Sequence, residues 1–390
     1  MLRAGSGSAV DVDGAKAATL AAEGALAAAH LTSAGLAIVF AGVAHDDDEF
    51  RAVLDAVAQT THAPSLIGCS TTGILTATRE LENANAVAVL VIDSAAGLPA
   101  PLVESGLQSD PRGAGLRLGQ AAVEALGGAV ADATLMVLVD PHDLDATAFL
   151  SGLAEGAPGL SIAGAGASGG ELGARVFAGT EAFAGAAVGL PLSAAIFPTT
   201  GTSHGCQGVS EPLPITAVQG NVILEIDGRS PIDVLKEILD RPGNRPLGRL
   251  SIPLLAGIGE RAHDGRSDYV VRPFLVPEDD PRSLAVPEPV RNGQTIRFTL
   301  RDAISARDDM KAMLDEQMSA RENHPAAFGL YFNCAGRGSA LYGKSGLDPE
   351  LIHRRFGDLA LVGIESSFEI APTCGRPQVH MLTGVLLLAG

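Results

Sequence analysis

The chain contains no tryptophan, and only 3 tyrosines and 12 phenylalanines among 390 residues. Its core must therefore rest on aliphatic and small side chains; hydrophobic residues reach 46%, and glycine fills 47 positions. Basic residues are also scarce, with 27 Lys and Arg against 45 Asp and Glu, a formal charge of −18. That balance excludes the basic surface that nucleic acid needs for its phosphates, and it argues against an anionic membrane surface. No apolar run reaches the roughly 18–20 residues of a spanning helix. The start, MLRAGSGSAVDVDG, has no apolar region of signal-peptide type. The four cysteines (Cys69, Cys206, Cys334 and Cys374) show no paired spacing, so neither a disulfide framework nor a zinc site is expected. These absences fit a cytoplasmic protein without a cofactor.

What the sequence does have is length for two domains and one plan written three times. An amphipathic or Ala-rich helix leads to an apolar strand, then to a second helix, a short apolar run ending in a Gly/Ser loop, and further strands. In the first copy these are a helix near 14–30, LAIVFAG (36–42), a helix opened by DDDEF, LIGCSTTG (66–73) and AVAVLVID (86–93). Phe50, Val53, Leu54, Val57 and Ala58 fall on one face of that second helix, with Asp46, Asp47 and Asp48 at its positive end. The second copy has a helix near 112–127, TLMVLVD (134–140), a helix from about Asp143, and LSIAGAGASGGEL (160–172). The third has a helix near 302–322, AAFGLYF (326–332), Asp348-Pro349 as a cap followed by proline, and LALVGIESSFEIAP (359–372). Gly68, Gly164 and Gly363 fall at similar distances from the strand starts Leu36, Thr134 and Phe328, which points to duplication. The stretch 207–300 follows another, strand-rich grammar. The expected fold class is α/β, in two domains with mixed sheets flanked by helices, at 1–205 and 206–390.

Several motifs carry more than one reading. GAGASGG (164–170) contains both GxGxxG and GxSxG around Ser168, but each requires a helix directly after it. The strand-like ELGARVFAGT that follows favours a tight turn. His45 and His142 stand beside aspartates at strand-to-helix junctions without metal-ligand spacing. FNCAGRG (332–338) has three readings: Cys334 as a nucleophile, a loop in which Gly336, Gly338 and Arg337 hold an anion, or a plain turn with a buried thiol. Glu365 and Glu369 would share a face if IESSFEI were one extended strand.

Taken together, LAIVFAG, LIGCSTTG, LSIAGAGASGGEL, EIDGRSPIDVL, YVVRPF, FNCAGRG, LVGIESSFEIAP and HMLTGV resemble the FIST family of sensory proteins. The resemblance covers nearly the whole chain. It implies a bacterial signal-input module that binds small ligands such as amino acids and acts through a separate output protein. The family's loops tend to read Gly-x-Ser-x-Gly-Glu. The second copy keeps Ser168, Gly169 and Glu171, whereas Ile74 stands where the first copy would carry Glu. The expected ligand site comprises Asn333, Gly336, Arg337, Gly338, Glu365, Ser366, Ser367 and Glu369, with Ser70, Ser168, Gly169, Glu171 and Arg272. Arg337 and Arg272 would take a carboxylate, and Glu365 or Glu369 an ammonium. The alternatives are an enzyme using Cys334 or Ser168, and a scaffold whose loops are packed shut. Oligomers fit any of these; nucleic acid and membrane fit none.

Overall fold

The computed structural model describes residues 2–42, 46–170, 173–241, 254–260 and 268–390. His45 and Glu171 lie outside the described residues. Contacts divide the chain into two compact units, one of residues 1–202, 311–379 and 383–390, the other of 203–310 and 380–382. The chain thus leaves the first unit after Thr202, and the third copy of the plan rejoins the first two there.

The first copy runs β1 (Ala4–Val10), α1 (Gly14–Ala29), β2 (Leu36–Ala41), α2 (Asp47–Thr61), β3 (Ser65–Ser70), the hairpin β4 (Gly73–Thr76) and β5 (Arg79–Glu82), and β6 (Ala86–Ile92). The expected apolar face of α2 is buried at Phe50, Val53, Leu54 and Val57, and Asp46 caps the helix by accepting from Glu49 N. The second copy repeats the order with β7 (Leu102–Ser105), α3 (Pro111–Ala125), β8 (Thr134–Val139), α4 (Ala146–Gly156), β9 (Ser161–Gly166), the hairpin β10 (Val176–Ala178) and β11 (Glu181–Phe183), and β12 (Ala186–Leu192). Here the cap is Asp145, two residues later than expected, because Asp143 takes a left-handed conformation ahead of the helix.

β13 (Thr199–Ser203) is followed by the strand-rich unit: β14 (Gln207–Gly208), β15 (Leu213–Gln219), β16 (Val222–Ile226), α5 (Pro231–Asp240), β17 (Leu254–Gly259), β18 (Tyr269–Arg272), β19 (Leu284–Ala285) and β20 (Thr295–Leu300). Its seven described strands form one sheet whose apolar residues, among them Ile215, Ile223, Val234, Ile296 and Phe298, make a separate core. The third copy follows as α6 (Ala303–Ala320), β21 (Phe328–Cys334), α7 (Gly338–Tyr342), α8 (Leu347–Phe356), β22 (Ala360–Ser366), the hairpin β23 (Phe368–Thr373) and β24 (Arg376–His380), and β25 (Gly384–Ala389).

The three copies exchange hairpins in a cycle. The strand orders are β1-β6-β2-β3-β10-β11, β24-β23-β9-β8-β12-β7 and β13-β25-β21-β22-β4-β5. The hairpin of the second copy therefore completes the first sheet, that of the third completes the second, and that of the first completes the third. One continuous core joins Ile38, Phe40, Met136, Leu138, Leu330, Phe332 and Ile364 from all three sheets.

The matching glycines have a common physical cause. Gly68 pairs with Val39, Gly164 with Val137 and Gly363 with Tyr331, at one register position of each parallel pair. A Cβ there would lie 1.8, 1.8 and 2.3 Å from the facing carbonyl oxygen, so only glycine allows the strands to approach.

Candidate functional site

The parallel strands end together. Ser70, Gly166 and Glu365 occupy equivalent register positions opposite Ala41, Val139 and Asn333. Each chain then makes a short turn and crosses to a neighbouring sheet. At that crossing the loops bond to one another. Ser70 Oγ donates to Ser168 O at 2.7 Å, and Thr72 N to Ser168 Oγ at 3.0 Å. Ser168 Oγ in turn donates to Glu365 O, as does Thr71 Oγ1 at 3.0 Å. Ser367 N donates to Gly166 O at 3.1 Å. Ser168 thus serves as a joint between loops. The next described element is the strand β10, with no helix to make a nucleophile elbow or a dinucleotide cradle. Gly169 sits in a tight turn, where a Cβ would meet Gly173 O at 2.3 Å.

Beside this joint, one face of the third sheet carries acids. On β5, Glu80 and Glu82 point the same way by the two-residue period, opposite Leu75 and Gly73. Glu365 stands on β22 beside Asn333 of β21. Glu365 Oε2 accepts from Thr72 Oγ1 at 3.2 Å, and Glu80 Oε1 from Asn333 Nδ2 at 3.2 Å. Glu80 Oε2 accepts from Gly346 N. Glu82 accepts from Ser339 N at 2.7 Å and from Ser339 Oγ. Two glycines make the room. A Cβ on Gly73 would lie 2.5 Å from Glu365 Cδ, and one on Gly338 2.4 Å from Glu82 Oε1.

Burial pushes the Glu80 and Glu365 carboxyls up to about 7. For Glu80 the Gly346 amide opposes this, while Asp348, Glu82 and Glu365 add to it; for Glu365 the Thr72 bond opposes and Glu82 adds. The first two copies place Ala41 and Val139 where the third has Asn333, so the polar residue at this register position is particular to the third sheet. Asn333 is fully buried, and its Oδ1 has no hydrogen-bond partner among the described residues. The rim is more open: Thr72, Glu82 and Ser168 are half-buried, and Ser339 and Ser367 are exposed.

The expectation for Arg337 is corrected. Its Nε donates to Asp348 Oδ2 at 2.9 Å and its Nη2 to Asp348 Oδ1 at 3.2 Å, with both side chains sealed from solvent. Tyr331 and Tyr342 hydroxyls also donate to Asp348, each at 2.8 Å. Burial alone would lower the guanidinium, but the Asp348 carboxylate overrides it and holds Arg337 well above its ordinary value. Asp348 is likewise not the expected cap: Gly346 precedes the helix, and Asp348 turns inward from its first turn. The loop's N–H groups do meet anions, but these are the protein's own, Glu82 on Ser339 and Glu80 on Gly346. Gly336 N donates instead to Cys334 Sγ at 3.4 Å.

Two other expected residues, Glu369 and Arg272, are not members of the acidic face. Glu365 and Glu369 do not share a strand face, because the chain changes sheet at Ser367, between β22 and β23. Glu369 is buried and accepts from Ser366 Oγ at 2.7 Å and Thr383 N at 3.2 Å. By register it matches Ile74, each lying opposite the residue that follows the strand glycine. Arg272 belongs to the other unit, where it forks onto Glu288 at 2.8 and 3.1 Å. Cys334 is half-buried, and Cys69 is buried with its thiol pushed up by desolvation.

Sequence reasoning passed over Glu80 and Glu82. The available signal was Arg-Glu-Leu-Glu, charges at period two in a hairpin, but nothing in it shows that this hairpin crosses to the third copy. Among the described residues, no group of three or more His, Cys, Asp or Glu is arranged for a metal ion. Two surface pockets of about 250 and 260 Å³ lie at the other end of the strands, one beside Arg3 and Asp93, the other beside Thr134 and Ser161.

Comparison with known proteins bears on this arrangement. The FIST N domain model matches residues 35–229, and the FIST C domain model residues 231–372. An uncharacterized protein of Mycobacterium tuberculosis is 29% identical over 361 residues, covering 90% of each chain. One of Mycobacterium bovis is 28% identical over the same length and coverage. Among solved structures, a chorismatase aligns over 92% of this chain and 93% of its own, at 9% identity and a TM-score of 0.34, too distant to carry an argument.

Proposed function

This chain belongs to the FIST family, whose domains are sensory domains of signal transduction, and we propose that it binds a small polar ligand at the acidic face of Glu80, Glu82, Glu365 and Asn333. The observation that carries this reading is a junction. Glu80 and Glu82 come from the first copy's hairpin, while Glu365 and Asn333 come from the third copy's own strands. A ligand touching both sets changes how firmly the hairpin is held on that sheet. It shifts the protein between two states by its difference in affinity for them. Amino acids and related polar metabolites are the starting ligand class, and the signal passes to a separate protein in the cytoplasm.

A ligand-free scaffold is the competing reading. What favours it is the set of bonds among Ser70, Thr72, Ser168 and Glu365, which ties the loops to one another. A thermal-shift screen of amino acids, amines, small carboxylates and nucleotides separates the two. A ligand at about 100 times its Kd adds about 2.7 kcal/mol of stability. The sensor reading requires a hit whose shift is lost in Glu82→Gln and Glu365→Gln. A screen without hits favours the scaffold.

A further inference from the structure

We infer that the ligand is an organic cation, a primary amine carrying no carboxylate, whose ammonium is held by Glu365, Glu82 and the side-chain oxygen of Asn333. This inference rests on the acidic face being the ligand site and narrows what it takes.

The groups around the face decide the sign of the ligand. From β5 come Glu80 and Glu82, from β22 Glu365, from β21 Asn333 and Tyr331, and from α7 and α8 with the residue before them Arg337, Tyr342 and Asp348. The buried cation in that set is Arg337, whose Nε and Nη2 both lie on Asp348; Lys344, between α7 and α8, is exposed and pairs with Glu350. A ligand carboxylate would therefore meet other carboxylates, and like charges repel most strongly where burial weakens screening. This departs from an amino-acid ligand, which needs a partner for each end.

Unmet hydrogen-bonding capacity gives an independent indication. Asn333 Oδ1 is a buried acceptor with no donor among the described residues, and its amide lies in the face, with Nδ2 on Glu80. A buried acceptor left unmet costs free energy that a donor would recover. Oε1 of Glu365 also accepts no hydrogen bond among the described residues, while Oε2 is engaged by Thr72. The open positions are thus acceptors, and an ammonium has three N–H donors and no acceptor. At the rim, the half-buried Thr72 and the exposed Ser339 bond Glu365 and Glu82 through their hydroxyls.

Binding of a cation should also displace protons, because two of the carboxyls titrate near neutrality. The cation and the protons compete for the same oxygens, so affinity rises with pH.

Isothermal titration of the full chain tests this with four probes of similar size: 1,4-diaminobutane, n-butylamine, 4-aminobutanoate and butanoate. The expected result is binding of both amines, about tenfold or more weaker binding of 4-aminobutanoate, and no binding of butanoate. Amine affinity should rise about tenfold between about pH 6 and about pH 8, with protons released into the buffer. Glu365→Gln, and the rim variant Glu82→Gln, should each weaken amine binding about tenfold with the fold intact. If 4-aminobutanoate or butanoate binds as well as the amines and Glu365→Gln abolishes it, the site stands and the ligand class is wrong. If amines bind equally to wild type and both variants, the site itself is wrong. Failure of all four probes to bind overturns the inference.

Discussion

Arg337 and Asp348 meet through two hydrogen bonds, at 2.9 and 3.2 Å, with both side chains sealed from solvent. This pair fixes the chain after β21 to the first turn of α8 and so positions Ser339 and Gly346, whose amides hold Glu82 and Glu80. Removing one partner leaves the other charge buried. Arg337→Ala and Asp348→Ala should each cost about 3–5 kcal/mol in urea unfolding. The combined Arg337→Met, Asp348→Leu and Tyr331→Phe replacement should recover most of that loss, since it also removes the buried Tyr331 hydroxyl that would lose its acceptor, while the half-buried Tyr342 hydroxyl can turn to water. A loss under about 1 kcal/mol for either single variant would show that the pair does not hold this region together.

The buried acids predict a pH dependence of stability. Their folded values of about 7 lie above the ordinary glutamate value of 4.5, so the folded state binds protons more tightly than the unfolded one. The stabilisation is full below about pH 4.5 and is lost as pH rises through about 7. Each of these two groups should lower stability by on the order of 2 kcal/mol between about pH 5 and pH 8. Glu365→Gln should flatten its share of the slope, raising stability at the alkaline end and changing little at the acid end. Chemical denaturation across that range checks it; equal slopes for wild type and variant would contradict the titration of Glu365.

The three strand glycines predict a shared sensitivity. Gly68→Ala, Gly164→Ala and Gly363→Ala should each destabilise by about 2 kcal/mol or more, because backbone must move to admit a methyl group. Gly170 has nothing within 4 Å of a Cβ, so Gly170→Ala serves as the neutral control. Equal melting temperatures for all four variants would remove the close-approach explanation.

Much of the fold was legible because it depends on local periodicity. The buried stripe of α2 and the apolar strands β2, β8 and β21 are set by neighbours in sequence, and the glycines at 68, 164 and 363 were visible through their repeated spacing although a facing strand imposes them. The substitution of Ile74 for an expected glutamate was also legible, and register now places Ile74 level with Glu369. The acidic face was not. It forms only because β4 and β5 cross to the third copy's sheet, and no periodicity within Arg79–Glu82 encodes the partner of an exchanged hairpin. Arg337 misled for the same reason. A Gly-Arg-Gly loop reads as exposed, and only the return of Asp348 from α8 buries its guanidinium.

Thiol chemistry should follow burial. Cys374 is exposed and Cys334 half-buried, whereas Cys69 is sealed and its thiol is pushed up by desolvation. Alkylation of the native protein, read by peptide mass spectrometry, should modify Cys374 first, Cys334 more slowly, and Cys69 only after unfolding. Rapid modification of Cys334 in mildly acidic buffer, ahead of Cys374, would instead support a nucleophile there.

The central claim is that ligand is taken at the face shared by Glu80, Glu82, Glu365 and Asn333. Its most direct test is an NMR titration of isotope-labelled protein with 1,4-diaminobutane, following the side-chain amide of Asn333 and the backbone amides of Ser339 and Gly346. All three should move together in a saturable way, while amides beside the Arg3 and Asp93 pocket stay fixed. Saturable shifts confined to that pocket, or none at the three reporters, would contradict the account.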